Sequence, residues 1–293
     1  MGWVNGLAHW IENDTAFISV AFSWRIKEAK RLSEYYAARG LRVRVGGTIL
    51  SLPQNAKPFE GIAEIGGTVD ALPHHNPDAT IASRGCPVGC WFCIVPKVEG
   101  KSFTFIPDFT PRPILCDNNL SALPVEYQDH IIRRYQETNT PLLDANSGFE
   151  PSAFDEGTYQ RWKQINRGVW RFAFDEIKES DAVERMAQIL KNEPARKKQV
   201  YVLIGNEPIA TCYERVKKVI EWGGEPYCQA VLPLNALDRR QYMIRHDWTR
   251  QTLTDFMRWS NALHCRIPIH EYIPRVDGKA TFALLGVKTG AKG

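Results

Sequence analysis

The chain of 293 residues lacks long apolar runs. No stretch approaches the roughly 20 consecutive apolar residues that a membrane-spanning helix needs. The N-terminal residues Met-Gly-Trp-Val-Asn-Gly also lack the basic region and following apolar stretch of a secretion signal. We therefore predict a cytoplasmic protein with no membrane association.

Neither sign of charge is in large excess. The 37 Lys and Arg residues against 33 Asp and Glu residues give a formal net charge of +4. This balance is compatible with an anionic partner but too weak to indicate nucleic-acid binding. Hydrophobic residues make up 44% of the chain and charged residues 24%, which is typical of a globular protein with a substantial core.

Closely spaced cysteine pairs are absent from most of the chain. Seven cysteines without a secretion signal indicate reduced thiols or metal ligands rather than a disulfide scaffold. Four of them fall in separate predicted elements, so we do not expect a second metal cluster; they are Cys116, Cys212, Cys228 and Cys265.

The three remaining cysteines are grouped within residues 84–100. Cys86, Cys90 and Cys93 have the spacing Cys-x-x-x-Cys-x-x-Cys, so one short loop can wrap all three thiolates around a single inorganic centre. A four-iron, four-sulfur cluster usually takes four cysteine ligands, and a loop with three leaves one iron open to a small molecule.

Other interpretations of these cysteines remain. A structural zinc would need a fourth ligand from His74, His75 or Cys116, but zinc sites generally use two separated cysteine pairs. A disulfide would leave one cysteine over. Buried structural cysteines fit poorly in a loop containing Gly85 and Gly89.

The cysteine spacing, with aromatic Phe92 directly before the last cysteine, resembles the signature of the radical S-adenosylmethionine (SAM) enzymes. The resemblance implies that the three cysteines hold an oxygen-sensitive [4Fe-4S] cluster whose open iron binds SAM. Reductive cleavage of SAM would then give a 5′-deoxyadenosyl radical that abstracts hydrogen from a substrate. It also implies an external electron donor, such as a flavodoxin or ferredoxin.

From residue 79 onward, apolar runs alternate with helical patterns. Six strands are predicted, beginning near residues 79, 113, 141, 169, 200 and 227. Parallel strands with helical crossovers form either a doubly wound sheet or a barrel, and periodicity alone does not choose between them. Six units with the cysteine loop directly after the first strand resemble the partial (βα)6 TIM-type barrel of the radical SAM family.

The N-terminal part has its own α/β pattern. An apolar run over residues 16–22 precedes a helix with Ile26, Ala29, Leu32 and Tyr36 on one face, and a strand follows Gly40. This resembles a truncated Rossmann-like segment, as in cobalamin-dependent family members. The domains are therefore predicted as 1–75 for this segment and its linker, 76–265 for the partial barrel, and 266–293 for a C-terminal extension.

The barrel interpretation makes polar residues at the strand ends candidates for binding SAM. At the second strand end, the resemblance implies that Asp117 and Asn118 contact the SAM ammonium, although both residue types also favour turns. At the third and fourth ends it implies contacts from Asn146, Asp175 and Arg171 to the ribose and carboxylate. For Arg171, an ion pair within the protein is an alternative.

Two later strand ends complete the implied SAM site. Gly205 and Glu207 resemble the second half of an adenine-packing element, and Pro233 follows the sixth strand. Trp259 and Tyr272, near the C-terminus, are suited to stack on a base or, as we favour, to pack against the fold.

Other motifs limit the subclass. An Asp-x-His-x-x-Gly cobalt-ligating motif is absent, so no cobalamin is expected. Residues around Cys86 resemble tRNA methylthiotransferases, but no cysteine precedes Cys86 to hold their additional cluster. We expect a small organic substrate, with a nucleobase in tRNA or DNA as one alternative and a zinc-stabilised, non-catalytic binding protein as another.

Overall fold

The computed structural model describes residues 2–66, 70–146, 148–262 and 264–272. The chain forms two compact units. The first comprises Met1–Asn118, Arg133–Leu142 and Leu232–Gln241, and the second comprises Asn119–Ile132, Leu143–Val231 and Tyr242–Gly293.

The secondary structure is mixed α/β. The strands are β1 (Leu7–Glu12), β2 (Thr15–Val20), β3 (Arg42–Gly46), β4 (Glu64–Ile65), β5 (Ala79–Thr80), β6 (Ser83–Arg84), β7 (Thr104–Phe105), β8 (Ile114–Leu115), β9 (Leu142–Ala145), β10 (Asn166–Phe174), β11 (Lys198–Ile204) and β12 (Glu225–Ala230). The helices are α1 (Ile26–Ala37), α2 (Pro53–Ala56), α3 (Leu72–His75), α4 (Val95–Val98), α5 (Val125–Glu137), α6 (Glu156–Lys163), α7 (Ser180–Ile189), α8 (Ile209–Glu221) and α9 (Arg250–Asn261). Among the described residues, no helix is both long and apolar enough to cross a membrane.

The N-terminal part of the first unit contains a sheet with the order β1-β2-β3-β4. β2 and β3 are parallel and joined by α1, which buries Ile26, Ala29 and Tyr36 against the sheet. Gly40 follows the helix with φ +82°, a conformation that glycine adopts without steric cost. The predicted strand–helix–strand unit is confirmed.

Strand β1 was not predicted from the sequence. It pairs antiparallel with β2 across a two-residue turn at Asn13 and Asp14, whose φ angles are both positive. Asn and Asp tolerate this conformation, and a hairpin turn with two positive φ angles matches the twist of the flanking strands. The Asn-Asp pair between apolar runs was therefore the available signal.

The cysteine loop begins directly after β6 in the first unit. β5 pairs in parallel with β8, and β6 pairs antiparallel with β7 on the far side of the loop. Ile94, next to Cys93, packs against the N-terminal apolar core, which includes Leu50 and Phe59. The loop is thus fixed to a core built largely from the first 60 residues.

The second unit contains a sheet with the order β12-β11-β10-β9, and its β10, β11 and β12 are parallel neighbours. Along β10, buried Trp170, Phe172 and Phe174 alternate with half-buried residues, as expected for a strand with one covered face. Together with β5 and β8 of the first unit, these strands lie at the six predicted positions. The parallel βα repeat is confirmed, whereas a partial barrel and the predicted domain limits stay predictions.

The helices following these strands bury apolar side chains on one face, as α7 and α8 show. In α8, Val216 is fully buried, whereas Ile220 is exposed. Val219, in the same last turn, is fully buried, so Ile220 lies off the packed face of the helix rather than beyond it. Trp259 and Tyr272 are buried, as the packing interpretation predicts.

Candidate functional site

The cysteine loop has a backbone that folds back on itself. The Cys86 N–H donates to the Gly100 carbonyl at 3.3 Å, and the Cys93 N–H donates to the Cys90 carbonyl at 3.1 Å. The Val95 N–H lies 3.4 Å from the Cys93 Sγ and donates to it. All three predicted cysteine ligands are half-buried.

Glu99 forms the polar base of this loop. One carboxylate oxygen, Oε1, accepts from Arg84 Nη1 at 3.2 Å, while Oε2 accepts from the Gly85 N–H at 3.1 Å and from Asn118 Nδ2 at 2.6 Å. Its side chain is only 14% exposed. These donors satisfy a carboxylate that has lost most of its hydration.

Asp117 fixes the chain just before the cysteine loop. Its carboxylate accepts from the Ala82 N–H at 2.7 Å and from the Ser83 hydroxyl. Burial raises its pKa to about 6, against the opposing effect of these hydrogen bonds. The structure therefore places Asp117 and Asn118 together, next to the loop, with their side chains bonded to protein groups. Their contact with a SAM ammonium stays a prediction.

The aromatic pair in the loop has a defined arrangement. The Phe92 ring lies 5.4 Å from the Trp91 ring, centroid to centroid, at an interplanar angle of 87°. Trp91 is exposed, whereas Phe92 is half-buried between the cysteines that flank it in sequence. The two rings therefore have the edge-to-face arrangement that aromatic pairs prefer.

The loop residues fit an iron–sulfur cluster in the chemistry of their donors. Three thiols lie on one loop, and a backbone N–H already donates to one of the sulfurs, a contact that also tunes cluster potentials. Within the described ranges, no group of three or more His, Cys, Asp or Glu side chains is arranged so that it could hold a metal ion, so the assembly of Cys86, Cys90 and Cys93 around one cluster stays a prediction.

In the second unit, Arg171 is paired within the protein. Its Nε lies 3.1 Å from Asp144 Oδ1, and its Nη1 donates to the Tyr201 hydroxyl at 2.8 Å. Burial raises the pKa of Asp144, while Arg171 opposes that shift. The ion pair given as the alternative for Arg171 is present, and contact with a SAM carboxylate stays a prediction.

Asp175 lies at the carboxyl end of β10, as predicted. Burial first, and then the nearby Glu179, raise the pKa of Asp175 to about 7. The backbone carbonyl of Asp175 accepts from Asn206 Nδ2 at 2.9 Å, which ties this strand end to the residue after Gly205. A carboxyl group with such a pKa can hold or release a proton near neutral pH.

Glu207 is engaged by a buried arginine. Glu207 Oε2 lies 2.9 Å from Nε of Arg215, whose side chain is fully buried and also donates to the carbonyls of Phe174 and Leu203. The other Glu207 oxygen accepts from the Ile177 N–H at 3.1 Å. Glu207 thus joins the ends of β10 and β11.

The other predicted SAM contacts lie near strand ends. Gly205 has φ +91°, and a side-chain Cβ there would lie 3.1 Å from the Met243 carbonyl. Asn146 follows β9 and is exposed, whereas Pro233 begins a turn closed by the Ala236 N–H. The backbone therefore requires glycine at 205, and adenine packing there stays a prediction.

Several residues of these networks were missed from the sequence. Glu99 and Ser83 in the first unit, and Asp144 and Arg215 in the second, have no motif that distinguishes them from surface charges or hydroxyls. The available signal was position: Ser83 and Glu99 flank the cysteine loop, and Asp144 lies at the end of a predicted strand.

Comparison with known proteins gives a likeness of fold. No family model matches the chain, and no curated protein matches its sequence. A solved structure of the radical S-adenosylmethionine methyltransferase TsrM from Kitasatospora setae, with cobalamin and a [4Fe-4S] cluster bound, superposes with a TM-score of 0.51 at 12% identity. The match covers 73% of this chain and 63% of that one, so the chain spans less than two thirds of its length.

Proposed function

We propose that the chain is a radical SAM enzyme acting on a small organic substrate. Cys86, Cys90 and Cys93 would hold a [4Fe-4S] cluster, with SAM at the open iron. The observation that carries this proposal is the Cys-x-x-x-Cys-x-x-Cys loop with Phe92, placed directly after strand β6.

The fold supports this proposal. Six strands lie at the positions expected of (βα) units, and the described pairings among them are parallel. A radical SAM methyltransferase has a similar fold despite only 12% identity. We propose that the repeat forms the partial (βα)6 barrel of this family, preceded by a truncated Rossmann-like segment.

The protein would bind and orient the cofactors. With both bound, the chemistry supplied would be reductive cleavage of SAM to methionine and a 5′-deoxyadenosyl radical. The Val95 N–H would stabilise the Cys93 thiolate through its hydrogen bond. Asp175 is suited to hold a proton at its carboxyl group near neutral pH.

Anaerobic reconstitution tests the proposal. We expect about four iron and four sulfide per chain, and 5′-deoxyadenosine on addition of SAM and dithionite. Replacing Cys86, Cys90 or Cys93 by alanine should abolish both, whereas the matched control Cys265→Ala should keep both. A chain that holds one zinc and no sulfide, or that holds the cluster but never cleaves SAM, would contradict the proposal.

Two further measurements define the subclass. We expect no retention of added hydroxocobalamin on gel filtration, because the cobalt-ligating histidine motif is absent, although the structural neighbour carries cobalamin. We also expect no salt-sensitive mobility shift with RNA or DNA oligonucleotides, since a small substrate requires no phosphate contacts. A clear shift would support the nucleobase alternative instead.

A further inference from the structure

We propose that Glu99 and Asn118 are positioning residues that close the base of the cysteine loop. Together with Arg84 and Gly85 they form the Glu99 clasp, which holds the two ends of the loop at a fixed separation. This inference rests on the proposed function, because its purpose is to present three thiols to one cluster.

The clasp joins residues far apart in the loop sequence. Gly85 enters the loop and Glu99 leaves it, yet the Gly85 N–H lies 3.1 Å from Glu99 Oε2. One residue further, the Cys86 N–H donates to the Gly100 carbonyl. Cys86 takes part in the second closure, and Cys90 and Cys93 lie on the chain segment that the two closures enclose, so the closures limit how far the thiols can move apart.

Asn118 connects the clasp to the end of β8. Its Nδ2 donates to Glu99 Oε2 at 2.6 Å and to the Gly85 carbonyl at 3.3 Å. Asn118 therefore contacts both ends of the loop with one amide group. The preceding residue, Asp117, accepts from the Ala82 N–H and the Ser83 hydroxyl. Two consecutive residues thus fix the whole entry to the loop.

The charge of Glu99 is required by this geometry. Oε2 accepts from two donors and Oε1 from a third, so three N–H groups point at one mostly buried carboxylate. A glutamine would keep one acceptor oxygen and turn an NH₂ group toward the remaining donors. Glu99→Gln therefore has nearly the same shape but cannot satisfy the same partners.

Hydrogen exchange on the full-length, cluster-free chain tests the clasp directly. In Glu99→Gln we expect the peptides covering residues 85–101 to exchange at least about tenfold faster than in the wild type. The matched control is Glu64→Gln, which removes an exposed ion pair with Arg44 in the same unit. Exchange in the loop that is unchanged in Glu99→Gln, or equally accelerated in the control, would overturn the proposal.

A double-mutant cycle guards against general misfolding. Asn118→Ala should accelerate loop exchange less than Glu99→Gln, because Arg84 and Gly85 still hold Glu99. The double variant should accelerate exchange by less than the product of the two single effects, since both changes remove the shared Asn118–Glu99 hydrogen bond. Fully additive effects would show that the two residues act separately and would contradict the clasp.

Reconstitution separates this inference from the proposed function. If wild type takes up the cluster, Glu99→Gln should bind less iron or show an altered electron paramagnetic resonance signal after reduction, and an identical load and signal would overturn the clasp. If wild type takes up no cluster, the proposed function fails, and the exchange experiment still decides whether the clasp closes the loop.

Discussion

The two units of the chain fix their strand ends by different means. Around the cysteine loop, strands β5 to β8 are two residues long, and polar side chains such as Glu99 and Asp117 hold the backbone in place. In the second unit, β10 runs for nine residues, and its end is fixed by the fully buried Arg215. Where the hydrogen-bonded ladder is short, side-chain acceptors take over its role.

The energetic consequences differ accordingly. The first network reaches the surface at Arg84, whose side chain is 41% exposed, and it is supported by strands of only two residues, so its parts can open locally. The second is sealed between β10, β11 and α8, where an unpaired charge would have no water to solvate it. We therefore expect removal of a polar contact in the second unit to destabilise the whole fold. Removal of a contact near the cysteine loop should mainly increase local opening of that loop.

Removing Arg215 should cause the largest effect. Arg215→Met would leave Glu207 without its ion pair and two strand-end carbonyls without a donor, at a cost of about 3–5 kcal/mol in unfolding free energy. Urea denaturation measures this cost, with Lys218→Met, at a half-buried position on the same helix that pairs with Glu214 at 3.7 Å, as the control. A decrease in unfolding free energy below about 1 kcal/mol would show that the Arg215 network contributes no more than an ordinary surface ion pair, contrary to our expectation.

The Asp175 carboxyl group should make stability depend on pH. Its pKa is about 7 in the folded chain, against an ordinary value of 3.8, so the folded state keeps a proton that the unfolded state has released between these pH values. Stability should therefore fall as pH rises from about 4 to about 7, by roughly 2–4 kcal/mol.

Denaturation of Asp175→Asn across this pH range checks the assignment. The variant should lose this contribution and have a flatter profile than wild type. Asp155 gives a control of opposite sign: it accepts from the Thr158 N–H at the start of α6, which lowers its pKa, so its contribution is lost as pH falls. Identical profiles for wild type and Asp175→Asn would contradict the assignment.

Two glycines of the cysteine loop separate steric contact from backbone strain. Gly85 and Gly100 share φ +87°. A Cβ at Gly85 would lie 2.1 Å from the Ser102 carbonyl oxygen, whereas a Cβ at Gly100 would have no neighbouring heavy atom within 4 Å. We expect Gly85→Ala to cost about 2 kcal/mol more than Gly100→Ala, which carries only the strain of about 1 kcal/mol. Thermal unfolding and loop hydrogen exchange compare the two, and equal effects would contradict the steric explanation.

The smallest change should follow loss of the α6 cap. Asp155→Ala removes the acceptor for the Thr158 N–H and should lower unfolding free energy by about 1 kcal/mol. Asp155→Asn, which keeps a capping oxygen, is the matched control and should be nearly neutral at pH 7. An alanine variant as stable as the asparagine variant would show that the cap is dispensable.

The sequence predicted regular structure better than polar networks. Apolar alternation located the strands of the βα repeat, because a buried sheet face imposes a period that is visible in single residues. It missed β1, where the signal was the Asn13-Asp14 turn. The partners of Asp117, Arg171 and Glu207 could not be predicted, because the sequence does not show which residues the fold brings next to a charged side chain.

The packing of Ile94 shows that the N-terminal residues support the cysteine loop, although they lie far from it along the chain. The side chain following Cys93 rests on apolar residues contributed by the β2–α1–β3 segment and the turns after it. A chain shortened to its βα repeat would lose these apolar contacts to Ile94. The loop that bears the three thiols would then have no packing partner on that side. The N-terminal sheet therefore contributes to the packing that holds the cysteine loop in place, and its removal should destabilise the loop.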